Sequence, residues 1–215
     1  MTTELLSDVP SPIDLRDPGD AHTWALEADA KRPWRAQVRD AFAEALAAVD
    51  PPAGAPARRI LELGSGPGLL AERILRTCDV ERYTLFDFSP PMLDMSRARV
   101  GNHPAAAFVL GDFKQRDWTR GLEVPLDAVI TMQAVHEIRH KRHVPGLYRQ
   151  VHGLLRPGGV LLVCDHVPAD DTPRKRALFA TEEEQHAAMR SAGFERVATR
   201  LLLSGLYLIT GSRAS

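Results

Sequence analysis

Arg59-Ile60-Leu61-Glu62-Leu63-Gly64-Ser65-Gly66-Pro67-Gly68 is the stretch that decides the fold. A short apolar run ends in three glycines spaced two apart and passes directly into a helical pattern, which predicts a strand, a tight loop and a helix. Glycine at such positions lets backbone approach a ligand closely, and the loop N–H groups and the helix N-terminus would face a polar group lying there. Taken alone, the triplet also fits a plain strand-to-helix turn.

The spacing bears on which ligand the loop suits. A dinucleotide fingerprint asks for glycine three residues after Gly66, but that position is Leu69 and the third glycine falls one place early, at Gly68. Arg82-Tyr83-Thr84-Leu85-Phe86-Asp87 reads as a second strand ending in an acid, where doubly wound folds set a carboxylate against ribose hydroxyls. A third run, Ala107 to Leu110, ends in Gly111-Asp112-Phe113, so three strand ends converge on one edge.

With these motifs in place, the chain resembles the class I S-adenosylmethionine-dependent methyltransferases of the small-molecule type. The likeness covers roughly residues 58 to 212 in the expected order. It implies that Glu62, Gly64, Gly66 and Gly68 contact the methionine part of S-adenosyl-L-methionine, with Ser65 inside the same loop. It implies further that Asp87, in Asp87-Phe88-Ser89-Pro90-Pro91-Met92-Leu93, holds the ribose while Phe88 and Met92 flank the adenine. Gly111, Asp112 and Phe113 match the family's motif for the adenine amino group, Met132 closes the fourth strand beside the same site, and Leu155 to Gly159 resembles the turn before the fifth strand.

Charge and cysteines narrow the remaining classes. A net charge of −1 over 215 residues gives no general nucleic-acid argument. Basic residues gather at 136–149 and 174–176 with no run of aromatics between them beyond Tyr148, as on solvated helix and loop faces. Cys78 and Cys164 stand far apart with no Cys-x-x-Cys spacing, which suits a reduced compartment. The N-terminal residues lack a signal pattern and no run is apolar enough to span a bilayer, so a cytoplasmic protein is expected, with no membrane or nucleic-acid partner.

The expected fold is α/β: a Rossmann-like, mostly parallel seven-stranded sheet with one antiparallel strand near the C-terminus, helices on both faces and an N-terminal helical extension. Residues 1–56 read as an irregular arm followed by a helical lid, and 57–215 as the cofactor-binding domain. Within the first unit, residues 1–20 carry three prolines and little periodicity, while Val38, Phe42, Leu46 and Val49 form an apolar stripe in a helical stretch broken by Pro33. Pro51 to Pro56 marks a linker, and Trp24 and Trp34 are either pocket walls or packing anchors. Towards the C-terminus, Leu126 to Met132 and Val160 to Asp165 make the fourth and fifth strands. Thr181-Glu182-Glu183-Glu184 opens the last helix with a capping box, and two long apolar runs joined at Ser204-Gly205 make a hairpin.

The histidines need separate reading. His136-Glu137-Ile138-Arg139-His140 matches the His-Glu-x-x-His metallopeptidase pattern literally. That chemistry needs both histidines on one helix, whereas here the motif starts four residues past a buried strand. A metal held by His136, His140, His143 and Asp165 is a further alternative; the plainer expectation is no resident metal and a hydrated basic turn at 140–143. His136 differs because the resembling family places acceptor-side residues just after the fourth strand. His166 and Glu137 are the other candidates at that edge. The chain lacks an Asn-Pro-Pro-Tyr-type element there, which disfavours methylation of nucleic-acid bases. The expected activity is methyl transfer to an oxygen, nitrogen or carbon of a small molecule, with His136 or His166 on the acceptor. Its rivals are a non-catalytic S-adenosylmethionine-binding protein and a metal-dependent hydrolase using His136, Glu137 and His140.

Overall fold

The structure is a computed structural model that describes residues 7–49, 58–168 and 172–215. The expected linker at 51–56 lies outside these residues. Strand β1 (Arg58–Leu63) opens a seven-stranded sheet completed by β2 (Val80–Asp87), β3 (Ala106–Leu110), β4 (Leu126–Met132), β5 (Leu155–His166), β6 (Phe194–Leu203) and β7 (Leu206–Arg213). The strands lie in the order β3-β2-β1-β4-β5-β7-β6, and β7 alone runs against its neighbours. The strand order reverses between β1 and β4, and such a switch opens a crevice beyond the carboxyl ends of the strands.

Alternation along the strands builds a core on each face. Ile60, Ala128, Ile130 and Leu162 point to one side, where α2 (Arg35–Ala47), α3 (Leu69–Thr77) and α4 (Pro90–Val100) bring Phe42, Leu46, Ile74 and Leu93. Leu61, Leu63, Val129 and Val163 point to the other, against Leu147, Tyr148 and Val151 of α5 (Val144–Leu154) and Met189 of α7 (Glu182–Ser191). All seven residues of β4 are buried, as expected of a central strand covered on both faces. At the edge opposite the crevice, buried Asp127 accepts the Arg59 amide at 2.7 Å and Arg156 Nε at 2.6 Å, tying β1, β4 and β5 together.

Local chemistry sets the ends of the elements. The first helix, α1 (Pro18–Ala30), starts before the periodic pattern does, because Asp17 caps the Asp20 amide and Pro18 suits the first turn. Pro33 falls in the break before α2, as its position in the sequence requires. The capping box at Thr181 and Glu184 forms with both reciprocal hydrogen bonds and starts α7. At the hairpin, Ser204 and Gly205 both take positive φ, 49° and 77°, the geometry that matches strand twist in a two-residue turn. A short helix, α6 (Pro173–Leu178), precedes α7. Residues 7–16 are irregular, but they are pinned to the domain rather than free of it. The Val9 amide donates to the Arg139 carbonyl at 2.8 Å, and Arg139 returns bonds from Nε and Nη2 to the carbonyls of Val9 and Pro10, each at 2.7 Å.

Candidate active site

A cavity of about 250 Å³ lies beyond the carboxyl ends of β1, β2 and β4. Its floor is the loop from Gly64 to Pro67; Gly64, Gly66 and, just beyond it, Gly68 take φ of 67°, 53° and 80°. The glycines answer different demands. A Cβ on Gly64 would come within 2.3 Å of Ala134 Cβ, so the loop after β1 and the loop after β4 touch backbone to side chain. A Cβ on Gly66 would meet nothing within 4 Å, so its space faces the cavity. Gly68 caps α3 and faces Ser96, away from the lining.

Charge in the floor is held by neutral and backbone donors. Asp87 ends β2 and accepts the Gly66 amide at 2.8 Å and the Ser89 amide at 2.9 Å. Burial raises its pKa, and those backbone donors oppose the rise. Glu62 accepts Tyr83 Oη at 2.6 Å, and burial, only partly offset by that bond, pushes its pKa up to about 8.

Of the residues singled out in the sequence, Glu62, Gly64, Ser65, Gly66, Asp87, Phe88, Met92, Phe113, Met132, His136 and His166 all line this cavity. Gly68, Gly111 and Asp112 do not. A Cβ on Gly111 would strike the Phe86 ring at 2.5 Å, which makes that glycine a packing requirement of the sheet. Asp112 caps the Lys114 amide at 3.0 Å and pairs with Arg16 at 3.5 Å, while Arg16 stacks over the Phe88 ring at 4.6 Å. The arm thereby covers the edge of the cavity, and Ser11, Pro12, Ile13 and Leu15 form part of its wall. Trp24 lines the cavity as well, whereas Trp34 packs against the core.

The acceptor-side candidates form one connected group. After β4 the chain enters a 3₁₀ turn, Val135–Ile138, that carries His136. His136 Nδ1 lies 2.7 Å from Asp165 Oδ1, and its backbone amide donates to Asp165 Oδ2 at 3.0 Å, so the ring is oriented from two points. Its other nitrogen stands 3.4 Å from Glu137 Oε1. Burial works to lower the His136 pKa, yet the two carboxylates outweigh it and push the value up to about 10. His166 behaves in the opposite way. Burial lowers it, the Asp165 carboxylate works against that, and the positive charges of His136, Arg32 and Arg35 add to the fall, which reaches about 4. The Gln133 amide nitrogen lies 3.0 Å from His166 Nε2 and can donate only to a neutral ring. Phe179 closes over both imidazoles, with ring centroids 5.1 Å and 5.4 Å away.

One expectation about the histidine-rich segment needs correction. His140 is 7% exposed rather than hydrated, and its Nδ1 accepts the Arg142 amide at 3.1 Å. Arg139 is likewise buried, against the arm. His136 and His140 sit on separate 3₁₀ turns, Val135–Ile138 and Lys141–His143 with its cap, so the helical pair that a zinc peptidase needs is not formed. Among the described residues the grouping able to hold a metal is His136, Asp165 and His166, without His140 or His143.

Sequence reasoning missed the Arg32, Arg35 and Arg39 wall, Gln133 and Ala134, and the pairing of Asp165 with His136. The arginines lie on or just before α2, outside every motif, and only their spacing of three and four residues places them on one helix side.

Residues 60–159 match the family described as a methyltransferase domain. Acetylserotonin O-methyltransferase of Mus musculus is 30% identical over 166 residues, which cover 67% of this chain and 41% of that relative. Human N-acetylserotonin methyltransferase in complex with SAM superposes with a TM-score of 0.66 at 17% identity, over 93% of this chain and 57% of the other. The trans-methyltransferase CalH in complex with SAH gives a TM-score of 0.61 at 19% identity, over 74% of this chain and 52% of the other. At these identities the structural likeness is one of fold. The chain spans about two-fifths of the length of the curated Mus musculus relative. Residues 60–159 carry a methyltransferase domain, and the sheet order and glycine loop agree with the fold of the class I S-adenosylmethionine-dependent methyltransferases.

The cofactor that defines this family is S-adenosyl-L-methionine, and the residues present suit it. Ser65 Oγ is buried at the cavity floor with no partner among the described residues, Gly66 leaves open space above it, and Asp87 sits at the end of β2 within the lining.

Proposed function

We propose that the protein transfers a methyl group from S-adenosylmethionine to an oxygen, nitrogen or carbon of a small molecule, with residues 1–56 as arm and helical lid over a catalytic domain from 57 onward. The reading extends to a cytoplasmic protein that acts on no nucleic acid. Among the described residues no helix is long and apolar enough to cross a membrane. One observation carries the proposal: the glycine loop and Asp87 open onto the same cavity as the His136–Asp165 pair. Bound there, the cofactor supplies an electrophilic methyl on a positively charged sulfur with a good leaving group. The protein's part is then alignment and exclusion of water.

The residues divide that work. Gly64, Ser65, Gly66 and Glu62 receive the methionine portion, and Asp87, Phe88, Met92, Phe113 and Met132 receive the nucleoside. Asp112, turned to Arg16 in this structure, is proposed for the adenine amino group once Arg16 yields, with Gly111 and Gly68 shaping the backbone around it. His136 is the group beside the acceptor. Asp165 fixes its Nδ1, and Nε2, 3.4 Å from Glu137 Oε1, is the nitrogen for the acceptor's proton once that contact yields. Because the surrounding carboxylates favour the protonated ring, His136 takes a proton only after losing its own, so turnover of a hydroxyl acceptor rises with pH. His166, neutral and fixed by Gln133, orients the acceptor. Acetylserotonin O-methyltransferase, the Mus musculus relative, acts by its name on an oxygen, which favours an oxygen acceptor here.

The test is a screen of hydroxyl, amine and carboxyl acceptors for S-adenosylhomocysteine release. Acceptor-dependent release is the expected result. Tight binding of S-adenosylhomocysteine with no turnover on any acceptor would instead favour a non-catalytic cofactor-binding protein.

A further inference from the structure

Arg35 is a guanidinium left over in the cavity wall. The residue is 7% exposed and its side chain makes no hydrogen bond among the described residues; its Nε is buried without a partner. The carboxylate near it, Asp29, is engaged elsewhere: Arg39 takes both oxygens, at 3.1 Å and 2.8 Å, and Arg35 is left a 3.6 Å contact. Arg32 also lines the cavity and has no ion pair among the described residues. The cavity's own carboxylates are committed, Glu62 to Tyr83, Asp87 to backbone amides and Glu137 to Arg139 at 3.1 Å. Three arginines thus face the cavity with one carboxylate, that of Asp29, set among them. Burying a guanidinium without hydrogen-bond partners is costly, and such a donor set matches a carboxylate presented to its planar fork. The Trp24 ring, 5.5 Å from the Arg35 guanidinium, supplies a flat apolar wall beside it. S-adenosylmethionine is a net cation, so its arrival adds to the positive excess.

We infer that Arg35, assisted by Arg32, forms an anion subsite for the methyl acceptor, and that the acceptor is a flat molecule bearing a carboxylate. This rests on the methyltransferase reading above and narrows its substrate class. Arg35 and Arg32 are binding residues here, with no part in proton transfer.

Benzoate and benzamide serve as probes, titrated calorimetrically into the protein saturated with S-adenosylhomocysteine. Benzoate is expected to bind, and uncharged benzamide to bind at least tenfold more weakly. Arg35→Gln is expected to weaken benzoate tenfold or more while changing S-adenosylhomocysteine affinity by less than about twofold; Arg35→Lys, which keeps the charge and loses the fork, is expected to fall between. Thermal unfolding of both variants checks that they fold, and the Lys variant carries the comparison if the Gln variant does not. Equal binding of benzoate and benzamide, or benzoate binding indifferent to both substitutions, overturns the subsite. A parallel loss of S-adenosylhomocysteine affinity in Arg35→Gln overturns it too, by assigning the guanidinium to the cofactor's own carboxylate. If the parent protein binds no S-adenosylhomocysteine, the methyltransferase reading itself fails, which is a separate result.

Discussion

The two ends of the cavity are built from different materials. On the β1–β2 side, the wall is assembled from backbone: glycines at positive φ, amides of Gly66 and Ser89, and a carboxylate they hold in place. On the β4–β5 side it is assembled from side chains that titrate, with His136, Asp165, Glu137 and His166 coupled through short contacts. Backbone sites tolerate almost no substitution and read out sharply in sequence. Side-chain sites depend on which distant residues arrive together, and the same residue types can serve several chemistries.

The sharpest break in this contrast is Gly66→Val. With φ at 53° and open space where a Cβ would point, the added branches enter the cavity and strain the loop. Cofactor binding is expected to vanish by calorimetry while the protein still unfolds cooperatively. Gly64→Ala should do the reverse, damaging stability first, because its Cβ meets Ala134 at 2.3 Å. If both variants bind S-adenosylhomocysteine like the parent, the loop is not the cradle.

On the side-chain end, His136→Gln keeps a hydrogen-bonding group and removes the base. Turnover is expected to drop about a hundredfold with cofactor affinity nearly intact, as seen in steady-state kinetics on any acceptor found. A parent-like rate would leave His166 as the better assignment.

pH adds a sign test for the same residue. The His136 pKa is raised in the folded protein, from 6.5 to about 10, so the stability it contributes is complete below about pH 6.5 and is lost as pH climbs through about 10. Turnover as a base moves the other way, rising up to about tenfold per pH unit over that window. Denaturant unfolding and initial rates measured at matched pH should therefore show opposite slopes, and His136→Gln should flatten both. Parallel slopes would dismiss the base.

The smallest expected effect is Asp87→Ala. Loss of a charged acceptor for ribose hydroxyls should weaken cofactor binding by about 1–3 kcal/mol in calorimetry. No change in a folded variant would remove the ribose assignment and blur the contrast between the two ends.

The same division explains what could be read from the chain alone. The seven strands, the single reversed one and the hairpin turn at Ser204-Gly205 follow from apolar periodicity and turn chemistry, both local. The cavity floor was legible because its residues sit in contiguous motifs at strand ends. Asp165 could be placed at the end of β5, but its bond to His136 joins residues 29 apart, and nothing local encodes that. His140 looked hydrated among its basic neighbours, yet the fold buries it. Arg35 carried no local signal at all, since an arginine at the start of an amphipathic helix ordinarily points to water.

The arm adds a matter of timing. Its docking partners, Arg139, Arg142 and Arg174, stand 130, 134 and 164 residues further along the chain from the groups they hold. The arm precedes its anchors in the chain, and α7, β6 and β7 follow them, so the contacts that pin it close long loops, at a cost that grows only slowly with length. The part of the cavity wall that the arm supplies therefore cannot be pinned until residues 139–174 are in place.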